Sequence, residues 1–173
     1  MHIIQTASLT LEPQAATHAE EMFAVLGDPA IYEFENEPPP SLEWLRTRFT
    51  KLESRLSADG QEQWLNWAIR VPTSELIGYV QATVRPDRHA AIAYELSSAY
   101  RGRGLARQAV QAMISELAEH YRVRCLSAVL KRGNLRSMRL LERLGFSLAS
   151  PEQHAKQQVE PGEVLMRREI QGK

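Results

Sequence analysis

The sequence predicts a mixed α/β fold: one domain over residues 1–173, with a mostly antiparallel central sheet flanked by helices. Three observations predict it. Residues 64–96 read as three strands separated by the turns Pro72-Thr73-Ser74 and Pro86-Asp87, the pattern of an antiparallel meander. Beyond residue 100, helical and strand periods alternate, which places helices against that sheet. The composition is that of a folded chain, 43% hydrophobic and 24% charged in 173 residues, with no internal repeat or low-complexity tract.

The elements follow in order. Leu9-Thr10-Leu11-Glu12-Pro13 alternates and stops at a proline, as a short strand does. Thr17 and Glu20 have capping-box spacing and open a helix that carries Met22, Phe23 and Leu26 and closes near Gly27-Asp28-Pro29. Residues 31–40 form an acidic, aromatic loop with a stiff Pro38-Pro39-Pro40 end. Ser41 caps a second helix with Leu45, Phe49, Leu52 and Leu56 at helical spacing. The meander strands are 64–70, 76–84 (interrupted by Gly78) and 90–96. A long helix is expected from Gly104 to Tyr121, a strand over 124–130, a helix over 134–144 ended by Gly145, and a strand over 146–149. Residues 151–162 read as a mobile polar loop, and 164–170 as the last strand.

Several classes are excluded on composition. No apolar run approaches the ~18 residues of a membrane span, and the start of the chain lacks a signal-peptide layout. The expectation is therefore a soluble cytoplasmic protein with no membrane partner. The single Cys125 rules out a disulfide framework, and His2, His18, His89, His120 and His154 are too scattered in sequence for a local metal-ligand spacing, so no metal is expected. The zero net charge conceals an asymmetry. Residues 100–145 hold ten basic side chains against three acidic ones, and residues 1–99 hold seven basic against fourteen acidic. A basic segment of that kind suits an anion and an acidic one a cation, although surface charges also cluster by chance.

The stretch Arg101-Gly102-Arg103-Gly104-Leu105-Ala106-Arg107 places a glycine-rich turn between a strand and a long helix. Gly102 and Gly104 let the backbone bend and bring its N–H groups close to an anion, and the helix adds unpaired amides and its positive end. Arg101, Arg103 and Arg107 add planar donors suited to phosphate. A Walker loop fails because no lysine follows either glycine, and a dinucleotide fingerprint fails because Arg107 stands where a third small residue is needed. The pattern Arg-x-x-Gly-x-Ala, residues 101–106, fits a coenzyme A loop.

With these residues the chain resembles the GNAT superfamily of N-acetyltransferases, and specifically its Rim-type branch, related to ribosomal-protein N-terminal acetyltransferases. The likeness extends over nearly the whole chain. It includes the opening strand at Leu9, the segment Phe23 to Pro40, Trp67-Ala68-Ile69 with Ile77-Gly78, and Asn134-Leu135-Arg136-Ser137 with Leu141-Glu142-Arg143-Leu144-Gly145-Phe146.

The resemblance implies a sheet splayed between the strands at 90–96 and 124–130, with acetyl-CoA as cosubstrate. Its pantetheine arm would pair with backbone near Tyr94, Glu95 and Leu96, its pyrophosphate would rest on the amides of Gly102, Arg103, Gly104, Leu105, Ala106 and Arg107, and Asn134 would contact the arm. Acetyl would pass directly to a primary amine, on a small molecule or a protein N-terminus. Free amines titrate at ~8 to ~10.4, so a base or a site favouring the neutral form is needed. Glu95 is the candidate base, unless it simply faces solvent or pairs with an arginine. A backbone N–H near Leu96 is the candidate donor to the thioester oxygen.

Ser137 matches a serine that Rim-type relatives are thought to use near the leaving sulfur. The alternative is a helix serine bonded back to the preceding turn. Many relatives have a glutamate at the position of Val129 and a tyrosine at that of Leu141, and both are missing here. Glu33, Phe34 and Glu35, on the loop bordering the acceptor site, are candidate substrate contacts, or else a solvated charge run. Trp64, Trp67 and Tyr79 read first as packing residues, Trp44 as packing or as a wall of the acceptor pocket, and Cys125 as a small apolar residue. A catalytically silent acetyl-CoA-binding module is the second expectation. Nucleic-acid binding through the arginine-rich segment is not expected, because aromatic interleaving is missing. The oligomeric state expected is monomer or homodimer.

Overall fold

The computed structural model describes residues 1–34 and 36–170. One eight-stranded sheet runs through the chain: β1 (Ile4–Gln5), β2 (Thr10–Pro13), β3 (Gln63–Arg70), β4 (Leu76–Val84), β5 (His89–Leu96), β6 (Cys125–Lys131), β7 (Ser147–Leu148) and β8 (Glu163–Glu169). Five α-helices accompany it: α1 (Ala19–Val25), α2 (Leu42–Leu52), α3 (Leu105–His120), α4 (Leu135–Arg143) and α5 (Pro151–Lys156). The strand order is β1-β2-β3-β4-β5-β6-β8-β7. The β5–β6 pair is parallel and the other neighbours are antiparallel. A parallel pair requires a crossover, and α3 supplies it.

Strand alternation divides the core into two layers. On one face α3 buries Ala109, Val110, Met113, Ile114 and Leu117, spaced as a helix stripe, against Trp67, Ile69, Val80 and Leu126. On the other, Met22 of α1 and Leu45 and Phe49 of α2 close over Ala68 and Leu76.

Four expectations need correction. The Thr17–Glu20 capping box does not form; a 3-10 turn at Ala16–His18 precedes α1, and the His18 ring accepts from the Ala15 amide at 3.0 Å. Helix α2 stops at Leu52, leaving Leu56 exposed outside it. Residues 151–162 are not wholly loop: Ser150 caps α5, Pro151 begins it, and Gln153 reaches back to the Ser150 amide at 3.0 Å. The two-residue β1 was not foreseen, being too short to show a period.

Candidate active site

Strands β5 and β6 pair only at His89–Cys125, Ala90–Leu126 and Ala91–Ser127, after which the register ends and the sheet opens. The direction of the β5 backbone beyond that point follows from one bond. The Ser97 amide donates to the Ile77 carbonyl at 2.8 Å, which makes Gly78 and Leu96 a non-hydrogen-bonded pair. The N–H and C=O of Leu96, and of Tyr94 two residues earlier, therefore turn away from β4 and into the gap. Gly78 permits this close approach, since a Cβ there would stand 2.0 Å from the Glu95 carbonyl oxygen.

The glycine turn ends the gap on one side. Gly102 and Gly104 both have left-handed φ, +74° and +73°, and Gly104 is the residue before α3. The first backbone bond at this end of α3 runs from the Gln108 amide to the Gly104 carbonyl, at 3.1 Å. Among the described residues the amides of 102–107 have no backbone acceptor, so six donors and the helix's positive end face outward together. Arg103 lies over the Tyr100 ring, 5.2 Å from its centroid, and Arg107 is exposed. Arg101 Nη2 donates to the Ala30 carbonyl at 2.7 Å, tying this turn to the loop after α1.

Across the gap, Asn134 is the N-cap of α4, its Oδ1 accepting from the Ser137 amide at 3.1 Å. Ser137 Oγ does not bond back to the helix. It is hydrogen-bonded at 2.5 Å to the Tyr94 hydroxyl, from a residue 43 positions away. Burial pushes the Tyr94 phenol up to about 12, with the Ser137 bond working in the opposite direction. Sequence reading found Tyr94 only for its backbone; the phenol contact depends on the approach of β5 to α4 and left no local signal.

Tyr94 yields a stability prediction. The native phenol keeps its proton to about 12, whereas an unfolded tyrosine loses it near pH 10. Between those values the native state binds more protons, so stability should fall as pH rises, by roughly 2–3 kcal/mol in total. Urea titrations between pH 9 and about 12 should show that slope in the native sequence and its loss in Tyr94→Phe.

Glu95 lies on the opposite face of β5, half-buried, paired in register with Tyr79 and lining a cleft of about 740 Å³. The same cleft takes in Tyr94, Leu96, Arg101, Ala106, Asn134 and Ser137, whereas Gly102, Arg103, Gly104, Leu105, Arg107 and Glu33 are not among its lining residues. The loop after α1 crosses its mouth. Asp28 accepts from the Ser98 amide at 2.7 Å and from the Ala30 amide at 3.0 Å, and hydrogen bonds from Ser98 hold its carboxyl below the usual range. Glu33 accepts from Arg136 Nη2 of α4 at 3.1 Å, so its charge meets an arginine. Phe34 lines the cleft beside Gly133, and Glu35 lies outside the described residues. Tyr79, expected to pack, lines the cleft, and Trp44 forms part of its wall.

A family model described as an acetyltransferase (GNAT) domain matches residues 8–147. The chain belongs to the GNAT acetyltransferase family. Its activity is acetyl-CoA-dependent acyl transfer, the chemistry of that family. A comparison with curated protein sequences found no match. Among solved structures, the chain is similar to RimL, a ribosomal L7/L12 α-N-protein acetyltransferase, in complex with coenzyme A: 20% identity, TM-score 0.81, 98% of each chain covered. It is similar to a ribosomal-protein-S5-alanine acetyltransferase from Vibrio fischeri, at 16% identity and TM-score 0.79, covering 98% of this chain and 97% of that one. It is also similar to the microcin C7 self-immunity acetyltransferase MccE in complex with acetyl-CoA and AMP, at 16% identity and TM-score 0.77, covering 95% and 94%. These likenesses agree on the fold.

The two positions at which the resemblance implies a glutamate and a tyrosine both border the cleft: Val129 is 45% exposed, and Leu141, 1% exposed, also belongs to the core. At both positions the cleft wall is apolar. Two of the five histidines meet in space: Glu116, 7% exposed, takes His2 Nδ1 and His120 Nδ1 on its two oxygens, each at 3.0 Å. This cluster, at the far end of α3, gives a buried carboxylate two imidazole hydrogen-bond partners. Among the described residues no helix is long and apolar enough to cross a membrane.

Proposed function

We propose that residues 1–173 act as one N-acetyltransferase domain, with the acceptor amine bound on the α1–α2 side of the sheet gap and the cosubstrate on the α3–α4 side. The observation that carries this is directional. Tyr94 and Leu96 present backbone groups into the gap between the strands, Glu95 between them points to the α1–α2 face, and six unpaired amides wait at the start of α3. These groups fit acetyl-CoA: an amide-rich helix start for the pyrophosphate, a strand edge for the pantetheine amides. Bound there, acetyl-CoA supplies the thioester carbon that an amine attacks.

The chain's own residues do the remainder. Glu95, on the acceptor face, takes the ammonium proton directly or through water, leaving a neutral nucleophile. The Leu96 N–H stabilises the oxygen on which charge develops. Ser137 Oγ holds a proton at the side of the departing sulfur. Tyr94, protonated throughout the physiological range, is hydrogen-bonded to that hydroxyl and orients it. Asn134 fixes the start of α4, and with it the position of Ser137.

The test is a panel of primary amines offered with acetyl-CoA, read by free-thiol release and product mass. Binding of acetyl-CoA without turnover of any amine would favour a silent binding module instead. A variant probes the cradle. Gly104→Ala forces a Cβ into a left-handed cap, costing about 1 kcal/mol, and should weaken coenzyme A binding about five- to tenfold by calorimetry while lowering the melting midpoint by only about 2–4 °C.

A further inference from the structure

The acceptor side of the cleft continues beyond Glu95. On the same sheet face, the next row after Tyr79–Glu95 is Asn66–Gln81–Ala93, two residues along each strand and so roughly 7 Å away. Gln14 joins that row, since its amide donates to the Asn66 carbonyl at 2.9 Å. Three carboxamides therefore line one stretch of the cleft. Gln14 is 3% exposed and Asn66 5% exposed.

Each carboxamide carries two donors and an acceptor. Where the protein supplies no partner, such groups face the cleft and bond water or a ligand there. Among the described residues the Gln14 and Gln81 side chains make no hydrogen bond, and Asn66 makes a single long one, from Nδ2 to the Trp64 carbonyl at 3.4 Å. Carboxamides set side by side on a cleft wall, Gln14 and Asn66 nearly enclosed and Gln81 half-exposed, are placed to bond a ligand.

Past this row the floor runs into a depression of about 230 Å³ that Asn66 and Gln81 share with Arg48, Lys51, Trp64 and Thr83. Arg48 lies over the Trp44 ring, 5.6 Å from its centroid. Among the described residues neither Arg48 nor Lys51 has a carboxylate partner. The acceptor side thus changes character along its length, from the Glu95 carboxylate, through neutral amides, to two cations. A polyamine would meet the wrong charge at its far end, and a plain hydrocarbon would leave the carboxamides unpaired.

Resting on the acetyl-transfer chemistry proposed above, we propose that Gln14, Asn66 and Gln81, with Arg48 and Lys51 beyond them, form a subsite for an acidic peptide-like acceptor. Such an acceptor has a primary amine at Glu95, one or two peptide amides read by the carboxamides, and a carboxylate facing Arg48 and Lys51. The carboxylate comes either from an acidic side chain near a protein N-terminus or from the free end of a short peptide.

The experiment measures kcat/KM for acetyl transfer to a matched set. It contains C-terminally amidated tripeptides with glutamate, glutamine or lysine at the third position, a tripeptide of alanines with a free carboxylate, and spermidine. The glutamate peptide should exceed its glutamine counterpart about tenfold and the lysine peptide by more. Matching performance by the free tripeptide would identify the chain-end carboxylate as the group read, and a lag behind the amidated glutamate peptide would identify the side chain. Arg48→Ala combined with Lys51→Ala should erase the charge preference through KM, with kcat and the KM for acetyl-CoA retained. Gln81→Leu should lower kcat/KM for every peptide at least tenfold and for spermidine little. Equal rates across the peptides, or a preference for spermidine, would overturn the subsite while leaving acetyl transfer intact. No transfer to any member would overturn the acetyl-transfer assignment and the subsite with it.

Discussion

Gly78→Ala should lower stability by about 3 kcal/mol or more, beyond the usual range for an overpacked core site. The added methyl would stand 2.0 Å from the Glu95 carbonyl oxygen, 2.9 Å from Leu96 Cα and 3.0 Å from the Glu95 carbonyl carbon. All three are backbone atoms of a paired strand, so no side-chain rotation relieves the contact. Either β4 and β5 part locally or the strand pair is lost. A chain of this size loses roughly 2–4 °C per kcal/mol, so the melting midpoint should drop by about 6–12 °C or the protein should fail to accumulate. Where it folds, the displaced backbone is that of Glu95 and Leu96, so coenzyme A affinity should fall as well. A midpoint within two or three degrees of the native one, with affinity unchanged, would show that the strand approach is not tight in solution.

Glu95→Gln should reduce kcat about 10²–10³-fold with little change in the KM for acetyl-CoA, as expected when a positioned base is replaced by its isostere. The substitution keeps the size and the strand position next to Tyr79, so stability should change little. The rate of the variant should rise with pH as the free amine supplies its own neutral form. Burial first, and the Glu95 charge second, raise the Tyr32 phenol above its ordinary value, so removing that charge should bring Tyr32 down slightly. A variant with kcat within threefold of the native enzyme would mean that catalysis works by positioning alone, with the amine arriving already neutral.

What the sequence disclosed and what it withheld divide along the range of the interactions. The glycine turn was legible because Gly102, Gly104 and the start of α3 are contiguous, and the requirement for left-handed backbone is local. The meander was legible from its period, and that period also fixes Glu95 and Tyr94 on opposite faces of β5. Helix α5 was hidden because a short polar helix has no apolar stripe, although Ser150, Pro151 and Gln153 carried its start signal. The Tyr94–Ser137 bond, the Glu33–Arg136 pair and the approach of His2 to Glu116 join residues 43 to 114 positions apart. No window of sequence contains both partners. Gln14, Asn66 and Gln81 were passed over for the same reason: each is unremarkable alone, and three neighbouring strand segments are needed to set them side by side.

The segment from Asp28 to Phe34 is laced to both banks of the cleft, by Asp28 to Ser98, by Arg101 to Ala30 and by Glu33 to Arg136. The nucleotide-side turn and the acceptor-side wall consequently share a tether. A ligand that quiets one end spares the other part of its ordering entropy, so the two substrates should bind with positive cooperativity and no change of shape. Cutting any one of these lashings should loosen that thermodynamic conversation before it loosens the fold.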